Sequence, residues 1–375
     1  LNILFLNNSD SGFFYGKVFV ADFVNNLKIK TMKQNFVFVI AVILTQVVFQ
    51  SCSDEPVLHQ NITGKANEMV IVISDESWNG KPGELLQTTL GQSHIALPQE
   101  EPVFDLINVP HAGFKKIFRS TRNIIQTSIS ASVETPGVIF KDNVWAYPQA
   151  VVEINAKNAG QFEELFNENR EKIISYFLLA EKKRLTMNYK KYHEKLVFNA
   201  LNDSFGLTMT VPPGFAIARQ KKDFIWFKYE TPEISQGIVV YTFPYISDST
   251  FTENYLVAKN DSVLEINVPG PTEGSYMAVE KQIDQVLNFF EHNKNYTVEM
   301  RGLWRLENDF MGGPYIALAE LDASNDRIVV AFGYVYAPSK DKRNLLQQVE
   351  AMIYSLKMNN QAENNKINSQ IKMGN

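Results

Sequence analysis

The chain has 375 residues, 45% of them hydrophobic and 21% charged, with a formal net charge of −5 and a single cysteine. One cysteine excludes an internal disulfide and any thiolate-rich metal site. A net negative chain also argues against a nucleic-acid partner, since phosphate binding needs clustered cationic surface, and at ~150 residues per domain the length predicts more than one core.

Residues 1–31 end in Lys28, Ile29, Lys30 and Thr31, directly before Met32 and Lys33. A chain that opens on Leu1 and meets a methionine just ahead of a signal-like run points to Met32 as the true start, with 1–31 a non-native upstream extension. From Phe36 to Phe49 nearly every residue is apolar. At ~1.5 Å per residue this run is too short for a ~30 Å hydrocarbon layer but suits a secretory h-region, so residues 32–51 read as a signal peptide. Gln50-Ser51-Cys52-Ser53-Asp54-Glu55 follows and sets the sole cysteine right after the apolar run. This arrangement resembles the lipobox of bacterial lipoproteins, which implies diacylglyceryl attachment at Cys52. Phe49 and Gln50 stand where that motif usually has leucine and a small residue. Ser53-Asp54-Glu55 resembles the acidic surface-export signal of Bacteroidota lipoproteins. Residues 1–51 carry Lys17, Lys28, Lys30 and Lys33 against Asp10 and Asp22, so their removal leaves a charge of about −7. That acidity discourages contact with anionic headgroups and leaves the acyl chains, at about 0.8 kcal/mol per buried CH₂, as the membrane anchor.

Residues 52–67 lack hydrophobic periodicity and read as a tether. A first α/β unit is expected over 68–158: strands at Met69–Ser74, Val103–Val109, Asn123–Ser130 and Val144–Ile154, a helix through Leu85, Leu86 and Leu90 that stops at Gly91, and a short helix at Phe114–Ser120. Asn158 and Gln161 have capping-box spacing and open a helix whose apolar stripe is Phe162, Leu165, Phe166, Ile173, Tyr176 and Phe177. With neither proline nor glycine between Gly160 and Gly206, residues 159–203 form one long bent helix or two in succession, completing the first unit and linking it onward. Lys182, Lys183, Arg184, Lys190, Lys191 and Lys195, with Tyr189 and Tyr192 among them, read as a solvated helix face rather than a nucleic-acid stripe.

A second α/β unit spans 204–357. Residues Phe205–Val211 alternate and Pro212-Pro213-Gly214 turns the chain. Strands follow at Phe224–Tyr229, Gly237–Phe243, Tyr296–Leu306, Tyr315–Asp322 and Arg327–Tyr336, with a helix at Thr252–Asp261. A last helix, capped by Ser339, carries Leu345, Leu346, Val349, Met352, Ile353 and Leu356 on one face. Residues 358–375 should fray. The expected class is therefore α/β, with two units of mostly antiparallel or mixed sheets covered by helices. The order of elements in the second half resembles the PsbP-like and LpqN-like α/β/α sandwich. Thr231-Pro-Glu-Ile-Ser-Gln-Gly237, Pro269-Gly-Pro-Thr-Glu-Gly-Ser-Tyr-Met277, Arg301-Gly-Leu-Trp-Arg-Leu-Glu-Asn-Asp-Phe-Met-Gly-Gly-Pro314 and Val335-Tyr-Ala-Pro-Ser-Lys-Asp-Lys-Arg343 resemble the signature segments of a Bacteroidota lipoprotein family catalogued as domain of unknown function 4837. Asn123-Ile124-Ile125 and Trp145-Ala-Tyr-Pro-Gln149 extend that resemblance over nearly the whole mature chain. It implies an envelope address, in the outer membrane and facing periplasm or surface, and no catalytic residues.

None of His59, His94, His111, His193 and His292 has the i, i+4 spacing of a helical zinc pair, and no nucleophile elbow or P-loop occurs around Ser275. No metal, cofactor or catalytic set is expected. The densest group of chemistry-bearing residues is Arg301, Trp304, Glu307, Asp309 and Tyr315 beside Gly312-Gly313-Pro314. Trp304 and Tyr315 would stack on a ligand while Arg301 pairs with a carboxylate. In a hydrolase, Glu307 and Asp309 would share acid and base roles on a glycan or peptide. The plain structural reading is a β-hairpin turning at Glu307-Asn308-Asp309. The expected function is a lipid-anchored, non-catalytic binding or assembly factor with an envelope protein or glycan as partner and no nucleic acid; the alternative is an envelope hydrolase.

Overall fold

The computed structural model describes residues 60–359; the expected signal segment, Cys52 and the tail beyond Asn359 lie outside the described residues. The first half contains β1 (Gln60–Asn61), β2 (Glu68–Val72), α1 (Asp75–Trp78), α2 (Lys81–Leu90), β3 (Asp105–Val109), α3 (Lys116–Arg119), β4 (Asn123–Ile129), β5 (Gly137–Asp142), β6 (Ala146–Tyr147) and β7 (Ala150–Ala156). Their main sheet has the order β3-β2-β4-β7-β5. Its first four strands run parallel and β5 closes the edge antiparallel. Parallel strands need crossovers and bury both faces, which is why Met69-Val70-Ile71-Val72 is a continuous apolar run. One face packs Met69, Ile71, Ile125 and Val152 under α2 and the next long helix. The other packs Val70, Val72, Ile124 and Val151 beneath Phe114, Phe118 and Trp145. Sequence patterning missed β5, and it merged β6 and β7, which Pro148 keeps apart.

Helix α4 (Ala159–Lys191) starts where expected: the Asn158 side chain accepts from the Gln161 N–H at 3.0 Å, and Oε1 of the Gln161 side chain accepts from the Lys157 N–H at 2.8 Å. Its first five turns bury Phe162, Phe166, Ile173, Ile174 and Phe177 on the five-stranded sheet, each at about 1.5–3 kcal/mol of transfer free energy. The chain then breaks at Tyr192–Glu194 into α5 (Lys195–Phe205), so the linking segment is two helices. Gly206, at φ 65° and ψ 34°, supplies the left-handed residue that stops α5.

The second half adds β8 (Leu207–Thr208), β9 (Ala216–Lys221), β10 (Phe224–Glu230), β11 (Ser235–Pro244), α6 (Glu253–Asn267), β12 (Tyr276–Val279), β13 (Val286–His292), β14 (Asn295–Glu307), β15 (Gly312–Asp322), β16 (Arg327–Tyr336), α7 (Arg343–Ile353) and β17 (Lys357–Met358). Eight of these strands form an antiparallel sheet of order β12-β14-β15-β16-β11-β10-β9, with β13 also paired to the long β14. One face packs Ile225, Phe227, Ile238, Val240, Ile316 and Val329 against α5 and α7. The opposite face packs Trp226, Val239, Met300, Trp304, Tyr315 and Phe332 against α6. Residues 205–211 yield only β8, because the preceding helix runs on to Phe205. Strands β9, β12 and β13 were not anticipated; the outermost, β9 and β13, are mostly exposed and so carry weak apolar alternation. The two sheets share one compact unit, and the contact between them is made by α4 and α7.

Candidate functional site

Strand β14 divides its side chains between two environments. Val298, Met300, Trp304 and Leu306 enter the core under α6, while Glu299 and Arg301, two residues apart and so on one face of the pleat, turn toward α4 and α7. Helix α4 brings Ile174, Leu178, Glu181, Lys182 and Leu185 to the same place, and α7 brings Gln347 and Glu350. With the loop Gln92–Ile95 they enclose a cleft of about 290 Å³. Its walls are mainly aliphatic and one end is charged.

That charged end is a closed set of ion pairs. Arg301 donates from Nε and Nη2 to the two oxygens of Glu299, each at 2.8 Å, and its Nη2 lies 3.0 Å from Oε2 of Glu350. Lys182 contacts Oε1 of Glu350 at 2.7 Å and sits 3.4 Å from the centre of the Tyr354 ring, a cation–π contact. The Tyr354 hydroxyl donates to Glu299. Beside this set, Glu181 accepts from the Asn67 N–H, from Asn123 at 2.8 Å and from Arg184 at 2.9 Å, while its other oxygen meets Arg122 at 3.1 Å. Burial would raise the Glu350 carboxyl, but Arg301 and Lys182 outweigh it and hold the group down at about 2. Burial opposes the Arg301 charge, yet Glu350 and Glu299 together push its pKa above the ordinary value. His94 is lowered, first by burial and then by Arg301, so its ring is neutral near neutral pH; Nδ1 donates to the Ile95 carbonyl at 2.9 Å.

Further bonds hold the two halves together around the cleft. Asn67 donates from Nδ2 to Asn344 and Gln347, both at 2.7 Å. The Glu101 carboxylate accepts from the N–H groups of Lys342 and Arg343 at 2.7 and 2.9 Å, which places a negative charge on the positive end of α7. Glu101, rather than the expected Ser339, therefore caps this helix. Arg343 completes the latch by pairing with Asp105 at 2.7 Å.

The five residues singled out in the sequence do not converge. Arg301 belongs to the junction cleft. Trp304 and Tyr315 are 2% and 0% exposed in the core on the opposite face; Trp304 donates to the Val335 carbonyl at 3.1 Å and Tyr315 to Gln285. Neither ring is free to stack on a ligand. Glu307 pairs with Arg305, and the partly exposed Asp309 accepts from the Thr272 hydroxyl at 2.6 Å. These residues lie where β14 turns into β15, so the hairpin is what their spacing encodes. The basic stripe on the long helix is also corrected: Lys183, Lys190, Lys191 and Lys195 are exposed, but Lys182, Arg184 and Tyr189 face inward because the glutamates of the junction and the second core receive them. Sequence reasoning missed Glu299, Lys182 and Glu350 as partners of Arg301. The one local signal was the Glu299-x-Arg301 pair interrupting the apolar run between Val298 and Trp304. No cluster of potential metal ligands occurs among the described residues, and no described helix is long and apolar enough to cross a membrane.

Residues 194–355 match the family model described as Domain of unknown function (DUF4837), and residues 62–190 match a second, Domain of unknown function (DUF8532). The resemblance to the first family therefore applies to the second half, while Asn123–Ile125 and Trp145–Gln149 fall in the segment of the other model. The boundary coincides with the break between α4 and α5, and the cleft draws residues from both segments. No curated protein matches the chain. Among solved structures, the Saccharomyces cerevisiae Ran-binding protein Mog1p is similar at 12% identity and a TM-score of 0.28, covering 42% of this chain and 92% of that one. A point mutant of protein Mog1 gives 12% identity and a TM-score of 0.27 over 41% of this chain and 90% of that one.

Proposed function

We propose that the chain is a non-catalytic binding component of the cell envelope, held at a membrane by lipid on Cys52, and that the junction cleft receives its ligand. The observation that carries this reading is the engagement of every carboxylate at the cleft: Glu181, Glu299 and Glu350 are each paired with cations. A general acid or base needs a free proton site matched to its task, whereas aliphatic walls with a few fixed polar groups suit binding. At the hairpin turn Glu307 is paired with Arg305 and Asp309 accepts from Thr272, which supports binding over a hydrolase that would use these two carboxylates as acid and base.

Two experiments test the two parts. Protein isolated from its native envelope is extracted and its bound small molecules are compared by mass spectrometry with those of Leu178→Trp, in which an indole fills the cleft. A molecule retained by the wild type and lost from the variant is the expected result; identical extracts, or turnover of envelope glycans or peptides that Glu307→Gln abolishes, would overturn the reading. For the anchor, a fatty-acid probe fed to the cells should label the protein and spare Cys52→Ser. The acidic Ser53-Asp54-Glu55 after that cysteine supports an outer-membrane address, which membrane fractionation of the labelled protein checks.

A further inference from the structure

The polar end of the cleft is one-sided in what it leaves available. Every glutamate oxygen there is already used: both of Glu299 by Arg301, with Tyr354 adding to one; those of Glu350 by Lys182 and Arg301; those of Glu181 by Asn67, Asn123, Arg184 and Arg122. The donors are not all used. Arg301 lines the cleft, and while its Nε and Nη2 are engaged, its Nη1 makes no hydrogen bond to the described residues. Gln347 accepts from Asn67, and its Nε2 is likewise without a partner among the described residues. Arg122 and Arg184 reach Glu181 from outside the lining, so each of the three glutamates already meets at least one cation.

We propose that the cleft binds a small amphipathic monocarboxylate, its head accepting from Nη1 of Arg301 and its apolar body lying against Ile95, Val103, Ile174, Leu178 and Leu185. This rests on the cleft being a binding site, as proposed above, and specifies what it takes. The volume sets the size: an apolar cavity of ~150 Å³ holds benzene, so about 290 Å³ holds roughly a dozen non-hydrogen atoms. The head group enters already desolvated surroundings in which a guanidinium fork and a carboxylate form their strongest bonds. A cationic head would meet only carboxylates that already hold cations. A neutral alcohol would gain the walls without the charge.

The test uses the purified chain with decanoate, decanol and decylamine below their aggregation limits, read by calorimetric titration. Decanoate should bind at least about 10-fold more tightly than decanol, and decylamine should not bind. Arg301→Lys retains the positive charge but loses the planar fork, and should weaken decanoate about 10- to 100-fold while leaving decanol unchanged. Equal affinity for decanoate and decanol, preference for decylamine, no binding of decanoate, or an unaltered decanoate affinity in Arg301→Lys would each overturn the proposal. If Arg301→Lys fails to fold, the three ligands on the wild type decide the question alone. Where one of those overturning results appears, Leu178→Trp separates the two levels: if it abolishes the binding that is seen, the cleft is a binding site and only the carboxylate assignment falls. If it leaves every affinity unchanged, both fall.

Discussion

The middle and the end of β14 each carry a Glu/Arg pair two residues apart, Glu299-x-Arg301 in the middle and, in reverse order, Arg305-x-Glu307 at the outer end, and each pair is in direct contact. In the middle the side chains of Glu299 and Arg301 are 8% and 10% exposed, roofed by α4 and α7. At the outer end Arg305 and Glu307 stand at 42% and 31%, beside a turn. Charges in water gain little by pairing, since solvation competes and salt screens them. Charges under a roof have no such alternative, so each depends on the others. The difference lies not in the strand but in helices contributed from elsewhere in the chain.

The largest effect that would break this comparison is at Arg301. Arg301→Met leaves Glu299 and Glu350 buried without their shared cation, and should cost about 3–5 kcal/mol in urea unfolding at neutral pH. The triple variant Arg301→Met, Glu299→Gln, Glu350→Met removes the uncompensated charges as well and should recover most of that loss, because a buried ion set is replaceable by apolar side chains of similar volume. A triple variant as unstable as the single would show that the cluster stabilises through something other than charge pairing.

Acid should find the roofed pair and its partner Glu350 next. Glu350 titrates at about 2 when folded against an ordinary value of 4.5. A depressed carboxyl contributes stability that is complete above pH 4.5 and lost as the pH falls toward 2, in all about 3 kcal/mol. Glu350→Gln should therefore be less stable than wild type at pH 7 and nearly level with it near pH 2, in unfolding curves taken across that range. His94 adds a smaller slope at higher pH. Its ring is lowered by burial and by Arg301, with Arg343 adding and Glu350 opposing. Stability from this group is present above pH 6.5 and declines as the pH drops below it. His94→Gln should flatten the stability curve between pH 7.5 and 5.5 and leave the Glu350 slope in place.

What the sequence disclosed follows the same division between local and distant causes. Strands β10, β11 and β14–β16 and the start of α4 were legible because periodicity and the Asn158 cap act within a few residues. Arg301 was singled out correctly as unusual, but for a grouping that does not exist: Trp304 lies on the other face of the same strand, and period two separates odd from even residues whatever their chemistry. The partners of Arg301 were not legible. Lys182 looked like part of a solvated basic face, and Glu350 is one of several polar residues opposite the apolar stripe of α7. Nothing within a turn of either residue says that another helix covers it. The same holds for Glu101, which caps α7 from 241 residues away.

The smallest predicted effect is at the outer end, and its smallness is informative. Glu307→Gln removes one partner of a pair that is about a third exposed, so it should cost less than about 1 kcal/mol. Asp309, held below its usual range by the Thr272 hydroxyl and the Phe310 N–H, lies partly exposed at the turn, and Asp309→Asn should change the melting temperature little. Ionic strength then separates the two pairs without further mutation. Raising salt from ~0.1 to ~1 M shortens the screening length from about 10 to 3 Å, which should erase the Glu307→Gln difference and leave that of Arg301→Met nearly intact. If both differences shrank together, water and ions would be reaching Arg301 as freely as they reach Glu307, and the roof made by α4 and α7 would not be what distinguishes the two pairs.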